Sequence, residues 1–211
     1  MRFRDRRDAG RQLAALLARY AGRSDTLVLA LPRGGVPVGY EIARSIAAPL
    51  ELFLVRKLGL PGHEEFAMGA IASGDVRYIN QNVIGQLHIP REVVNAVSRK
   101  EQEELRRREQ LYRGHRRPVE VSGKTVILVD DGLATGASMR AAITALKQHK
   151  PGRIVVAVPA AAPDICREVG EQVDEIICAV TPDPFYAVGL WYRQFSQTTD
   201  EEVRDLLSRA A

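Results

Sequence analysis

The sequence predicts an α/β fold built on a doubly wound, mostly parallel sheet, and two observations carry that reading. Apolar runs of strand length recur at Thr26 to Leu31, Leu50 to Val55, Lys124 to Val129, Arg153 to Val158 and Asp174 to Val180. They are close to continuous rather than alternating with polar residues, as strands buried on both faces require. Segments with apolar residues at helical spacing lie between them, at Val36 to Ala47, Ala137 to His149 and Pro163 to Val169. Strand, helix and strand in this rhythm make parallel pairs with right-handed crossovers.

Each element follows from a local signal. Gly10 to Tyr20 is amphipathic and ends near Gly22, which makes it an opening helix. The strand from Thr26 stops at Pro32-Arg33-Gly34-Gly35, a tight turn, and the strand from Leu50 ends at Arg56-Lys57. Residues Gly59 to Ile89 carry glycines, prolines and short alternating pieces, and are expected to form a loop and a hairpin beside the main sheet. Pro90 suits a helix start, and Arg91 to Tyr112 reads as a charged helix with a narrow apolar stripe of Val93, Val94, Val97, Leu105 and Leu111, exposed over most of its surface. The tail holds Phe185, Tyr186, Trp191, Tyr192 and Phe195, then a helix from Asp200 to Leu207 with acids in its first turn. One domain over residues 1–211 is expected, with a core at 24–180, an inserted hairpin and helix excursion at 59–115 and a C-terminal cap at 181–211.

At 211 residues the chain supports one sizeable core. Met1 to Asp8 carries charges where a signal peptide needs an apolar stretch, and no apolar run approaches the roughly 20 residues that span a bilayer. A cytoplasmic protein with no membrane partner is expected. Cys166 and Cys178 lie too far apart in sequence for a CxxC pair and sit in apolar elements, so neither a disulfide framework nor a zinc site is expected. The net charge of +4 and pI of about 9.3 suit a nucleic-acid binder and an enzyme of multiply phosphorylated substrates equally. In the run Arg99 to Arg117, arginines interleave with Glu101, Glu103, Glu104 and Glu109, the pattern of a solvated helix face rather than a polyanion-binding strip.

The chemistry concentrates after the strand Val126 to Val129, in Asp130-Asp131-Gly132-Leu133-Ala134-Thr135-Gly136-Ala137-Ser138. Ligands of open parallel sheets bind beyond the carboxyl ends of the strands. A loop of small residues that opens a helix leaves backbone N–H groups aimed outward at the positive end of the helix dipole, a cradle for phosphate. Thr135 and Ser138 add hydroxyl donors. Paired carboxylates beside the cradle would repel phosphate, but they accept hydrogen bonds from vicinal hydroxyls or organise a magnesium ion. Phosphate beside diol describes a ribose 5-phosphate. Asp130-Asp131 as a helix cap and turn is the plainer alternative, yet a cap does not call for two carboxylates followed by Thr-Gly-Ala-Ser. Neither GxxxxGK[ST] nor GxGxxG occurs, which leaves no support for a nucleoside-triphosphatase or a dinucleotide reader.

Strand, Asp-Asp, apolar, x, Thr-Gly-x-Ser resembles the 5-phosphoribosyl-1-pyrophosphate (PRPP) signature of type I phosphoribosyltransferases, over the whole of Val126 to Ser138. The resemblance implies a Rossmann-like sheet. It implies that Asp130 and Asp131 hold the ribose hydroxyls, and that Gly132 and Ala134, Thr135, Gly136, Ala137 and Ser138 take the 5′-phosphate. Pro32-Arg33-Gly34-Gly35 is similar to the family's pyrophosphate loop, and Arg56-Lys57 to a basic position that also reaches pyrophosphate. Glycine permits close backbone approach to an anion, and arginine offers a planar fork of donors. The implied reaction displaces pyrophosphate from the anomeric carbon by a nitrogen nucleophile, with positive charge from Mg²⁺, Arg33 and Lys57 around the leaving group. The excursion stands where family members carry a mobile catalytic loop, in which Glu64 and Glu65 are candidates for proton transfer. The cap resembles the family's hood, where Tyr186, Trp191 and Tyr192 offer aromatic faces to a base. Arg193 falls where the purine enzymes place a base-reading acid, which favours an acceptor with carbonyl or carboxylate groups. A homodimer is expected. The rival reading is a PRPP-sensing regulator that binds nucleic acid through its Arg-rich helix, and a third is an enzyme that releases pyrophosphate or cleaves nucleotides without a base acceptor.

Overall fold

The structure is a computed structural model that describes residues 2–113 and 119–210, with the backbone alone at 64–66 and 113. Five strands form the central sheet: β1 (Thr26–Ala30), β2 (Leu50–Leu52), β6 (Thr125–Val129), β7 (Arg153–Ala160) and β8 (Glu175–Val180), in the order β2-β1-β6-β7-β8 and all parallel. Three more, β3 (Val55–Leu60), β4 (His63–Ala72) and β5 (Val76–Ile79), make a small antiparallel sheet in the order β3-β4-β5.

The double winding is legible residue by residue. Along β1, β6 and β7, Leu27, Leu29, Val126, Leu128, Ile154, Val156 and Val158 face one side, with α5 (Ala137–Gln148) and α6 (Pro163–Gly170). Their neighbours Val28, Ile127, Val129, Val155 and Ala157 face the other, with α1 (Arg6–Leu16) and α2 (Gly35–Ile46). Alternate side chains of a strand point to opposite faces, so a sheet covered twice needs an apolar residue at every step. The chain leaves β1 toward β2 on one side and returns as β6 on the other, which sets the topological switch point between the carboxyl ends of β1 and β6.

Three expectations about these elements need correction. The opening helix starts at Arg6 rather than Gly10, because the Asp5 side chain accepts from the Asp8 N–H and caps it there. The apolar run Leu50 to Val55 is not one strand: β2 ends at Leu52 and β3 begins at Val55, so Arg56 and Lys57 lie inside β3 instead of at a strand end. The segment read as a loop and hairpin is a three-stranded sheet followed by the short α3 (Gln81–Gln86), which Asn80 caps. The charged helix α4 (Arg91–Arg113) buries Val94, Ser98 and Leu105 against that small sheet, so its apolar stripe closes a second core with Leu54, Leu58, Met68 and Ile71. The last helix, α7 (Asp200–Arg209), packs Val203, Leu206 and Leu207 on Val36 and Tyr40 of α2.

Cys166 of α6 and Cys178 of β8 are joined in a disulfide, their Cα atoms 6.8 Å apart, where sequence spacing had given no reason to pair them. The chain turns back between α6 and β8, and that reversal brings the two thiols together. Among the described residues no helix is long and apolar enough to cross a membrane.

Ile127 sits fully buried at the centre of the sheet. Replacing it with Ala should cost about 2–5 kcal/mol of unfolding free energy in a urea titration, the range for a large-to-small change in a close-packed core.

Candidate active site at the carboxyl ends of β1 and β6

Two loops meet at the switch point. The first, Leu31 to Gly34, continues β1: Leu31 N–H donates to Val129 O at 2.9 Å, the Pro32–Arg33 peptide is cis, and Gly34 leads into α2. The second, Asp130 to Gly136, continues β6 and leads into α5. Glycine lets them touch. A Cβ on Gly34 would lie 2.0 Å from Asp131 Oδ2, and one on Gly35 would lie 2.7 Å from Val129 O and 2.9 Å from the Asp130 Cα. No larger residue fits either position without moving the acid pair.

The second loop is anchored at one residue and open beyond it. Leu133 is buried and bridges to the end of β7, donating to Ala160 O at 2.9 Å and accepting from the Ala162 N–H at 3.1 Å. Ala134, Thr135, Ala137 and Ser138 are exposed. Gly136 takes a left-handed conformation, φ 67°, at the cap position of α5, and no side chain caps that helix. The Ala137 N–H has Thr135 Oγ1 at 3.5 Å, and the first-turn N–H groups, which have no intrahelical partners, lie at the positive end of the dipole. Arg140, one turn on, steadies the loop from behind through Nη2 to Thr135 O at 2.7 Å.

Two adjoining cavities open beside this helix mouth. One of about 220 Å³ is lined by Pro32, Asp130, Ser138, Arg56, Leu105 and Arg108 among others, and one of about 550 Å³ by Ser138, Arg56, Lys57, Lys100 and Glu101 among others. Ser138 and Arg56 border both. The cleft thus runs from the acid pair, past the mouth of α5, to a wall of cations from β3 and α4. Arg56 is held in that wall by Glu101, to which its Nε donates at 2.7 Å.

The two acids sit in different surroundings. Burial pushes the Asp130 carboxyl well above the usual carboxylate range, and the charge of Asp131 beside it pushes the same way. Asp130 Oδ1 accepts from the Asp131 N–H at 2.8 Å, while Asp131 Oδ2 takes the Arg6 Nε at 2.8 Å. Arg33, exposed by about a third, lies 3.7 Å from Asp200 at the start of α7, and Asp200 also accepts from the Tyr112 hydroxyl at 2.6 Å. Burial raises the Tyr112 phenol to about 12, with the Asp200 hydrogen bond acting in the same direction.

Of the predicted site residues, Arg56, Lys57, Asp130 and Ser138 line these two cavities, whereas Arg33 and Asp131 line neither, and Gly34 and Gly35 lie against Asp131 and the end of β6. In the cap the structure treats the aromatics unequally. Tyr186 is 79% exposed, and Arg193 is exposed with its backbone N–H on Phe3 O. Trp191 stacks on Phe185, and its indole N–H is enclosed without a partner. Tyr192 is 4% exposed, packed between Phe3 and Phe195, with its hydroxyl on Asp131 O at 2.6 Å. Its ring has no free face for a base, and Tyr192 instead ties the cap to the acid loop. Val188 closes over the same loop, since a Cβ on Gly132 would lie 2.5 Å from it. The side chains of Glu64 and Glu65 lie outside the described residues. Sequence reasoning missed Arg6, Lys100 and Arg108, because charged residues on amphipathic helices read as solvated until packing shows which of them face a cleft.

Comparison with known proteins agrees with this architecture. The phosphoribosyl transferase domain family matches residues 4–185, and the chain belongs to that family. It is similar to a Mycobacterium tuberculosis protein named "Putative phosphoribosyl transferase Rv0571c", 45% identical over 208 residues, which are 99% of this chain and 47% of that one. The chain thus spans about half the length of the curated relatives it matches. The crystal structure of TT1426 from Thermus thermophilus superposes over the whole of both chains with a TM-score of 0.91 at 40% identity. AQ2163 from Aquifex aeolicus shares the fold at 13% identity, with a TM-score of 0.51 over 96% of this chain and 84% of that one.

The raised Asp130 carboxyl has a consequence for stability. A folded-state value above the unfolded one favours folding fully at low pH, and the contribution is lost as pH rises through the folded value. Asp130 therefore contributes less to stability as pH rises. Asp130→Asn should match the wild type near about pH 4 and melt progressively higher than it toward about pH 8. Thermal melts across that range check the sign.

Proposed function

We propose that this cleft transfers a 5-phosphoribosyl group from PRPP to a nitrogen acceptor with release of pyrophosphate. The observation that carries the reading is the exposed mouth of α5, with the acid pair on one side and a cationic wall on the other. The 5′-phosphate sits on the amides and hydroxyls of Ala134 to Ser138, where dipole and free donors favour an anion. The ribose hydroxyls donate to Asp130 and Asp131. The pyrophosphate end then extends toward Arg33, Arg56 and Lys57, with Lys100 and Arg108 behind them.

In the reaction the bond from the anomeric carbon to the pyrophosphate oxygen breaks, a carbon–nitrogen bond forms, and the acceptor nitrogen gives up its proton. Negative charge grows on the leaving group, so fixed cations along that wall lower the barrier. The donor set also fits magnesium. Two adjacent carboxylates without a third acid do not make a metal cage, but they suit an ion held mainly by the substrate's own oxygens. Asp130 and Asp131 would hold it indirectly, through the ribose hydroxyls, and when bound it neutralises pyrophosphate charge.

The acceptor enters from the cap. Tyr186 offers an open aromatic face two residues from Val188, which touches the loop at Gly132, and Arg193 offers donors suited to carbonyl or carboxylate groups. The regulatory alternative draws less support, because Arg107 of the Arg-rich helix is already paired with Glu104 on that helix.

Incubating protein, PRPP and Mg²⁺ with a panel of bases and related amines, while following pyrophosphate, tests the activity directly. Asp130→Asn combined with Asp131→Asn should abolish PRPP binding and leave the fold intact, since both lie in the loop after β6 and not in a strand or helix. Lys57→Ala should lower turnover by about 10²-fold, the usual scale for removing one electrostatic stabiliser. Unchanged PRPP affinity in the double variant would misplace the site.

A further inference from the structure

Arg6 reaches Asp131 from the first turn of α1 across 125 positions of sequence. Its Nε donates to Asp131 Oδ2 at 2.8 Å, its Nη1 to Ser196 O at 2.6 Å, and its guanidinium lies 3.9 Å from the centre of the Phe195 ring. Phe195 stacks on Tyr192 at 4.9 Å, and the Tyr192 hydroxyl returns to Asp131 O at 2.6 Å. The circuit closes: one arginine and one tyrosine hold the carboxylate and the carbonyl of the same aspartate, and an aromatic ring joins the two holders.

Arg6 and Asp131 are only 12% and 17% exposed, so their pair is shielded from the solvent screening that weakens surface ion pairs. Anchoring α1 alone would not call for it, because Leu13 and Ala14 already bury that helix on the sheet core. Neither Arg6 nor Asp131 lines the two cleft cavities, of which Asp130, the neighbour of Asp131, borders one. On the other side of the carboxylate, Asp131 Oδ2 lies against Gly34. Asp131 Oδ1 meets no hydrogen-bond donor among the described residues.

We infer that Arg6 is a positioning residue for the sugar site: by occupying Oδ2 it fixes the Asp131 carboxylate so that Oδ1 is presented to the ribose hydroxyls. The inference rests on the phosphoribosyl reading of the cleft. A lysine in its place keeps the charge but lacks the planar fork that meets Asp131, Ser196 and Phe195 together.

Calorimetric titration of wild type, Arg6→Ala and Arg6→Lys with ribose 5-phosphate and with inorganic phosphate tests it. Arg6→Ala should bind ribose 5-phosphate about tenfold more weakly, the loss expected for a misdirected charge-assisted hydrogen bond. Its affinity for inorganic phosphate should not change, since the loop of α5 is untouched. Arg6→Lys should fall between, and low concentrations of guanidinium should restore part of the loss in Arg6→Ala. If Arg6→Ala does not fold, the Arg6→Lys comparison carries the test. Equal affinities for ribose 5-phosphate in wild type and variants, or an equal fall for both ligands, would overturn the inference alone. A wild type that binds neither ligand would remove the site reading and the inference together.

Discussion

The contact between the two strand-end loops governs this molecule. Gly34 lies so close to the Asp131 carboxylate, and Gly35 to the backbone of Val129 and Asp130, that the turn after β1 and the acid pair after β6 form one surface. Parallel neighbours at a switch point send their chains away in opposite directions and leave a crevice between them. Here backbone fills the floor of that crevice, and the side chains that would otherwise fill it are absent. The amides at the mouth of α5 and the carboxylates therefore face the same open volume.

Charge is arranged around that floor with a gradient. Acids sit where β6 ends, the exposed start of α5 follows, and Arg56, Lys57, Lys100 and Arg108 stand beyond Ser138. Hydroxyls and phosphates of one ligand each find complementary groups on this floor. The small sheet and α4 exist as a second core, with Leu54, Leu58, Met68, Ile71 and Leu105, and this core holds the cationic wall at a fixed distance from the sheet. The cap acts from the opposite side, through Val188 on Gly132 and Tyr192 on Asp131.

The main sheet was legible because strands buried on both faces leave continuous apolar runs, and β1, β6, β7 and β8 each left one. The signature loop was legible because its chemistry is local: small residues, hydroxyls and paired acids within one turn. What the sequence hid was set by distance along the chain. The apolar run Leu50 to Val55 gave no sign that it divides between two sheets, and Arg56 and Glu101 gave none that they pair. Tyr192 looked like a base platform since an aromatic near a cap has the same composition whether its face is free or covered. Arg6 carried no signal of its partner Asp131, 125 positions away. Cys166 and Cys178 carried no spacing signal, and their pairing depends on the return from α6 to β8.

The central claim is that a phosphoryl group docks on the amides at the start of α5. Amide proton and nitrogen resonances of the isotope-labelled protein, followed by NMR during titration with ribose 5-phosphate, address it most directly. The account predicts saturating shifts concentrated at Ala134, Thr135, Gly136, Ala137 and Ser138, with smaller ones at Asp130 and Asp131. Saturable binding that leaves those amides unmoved and shifts another surface would contradict it.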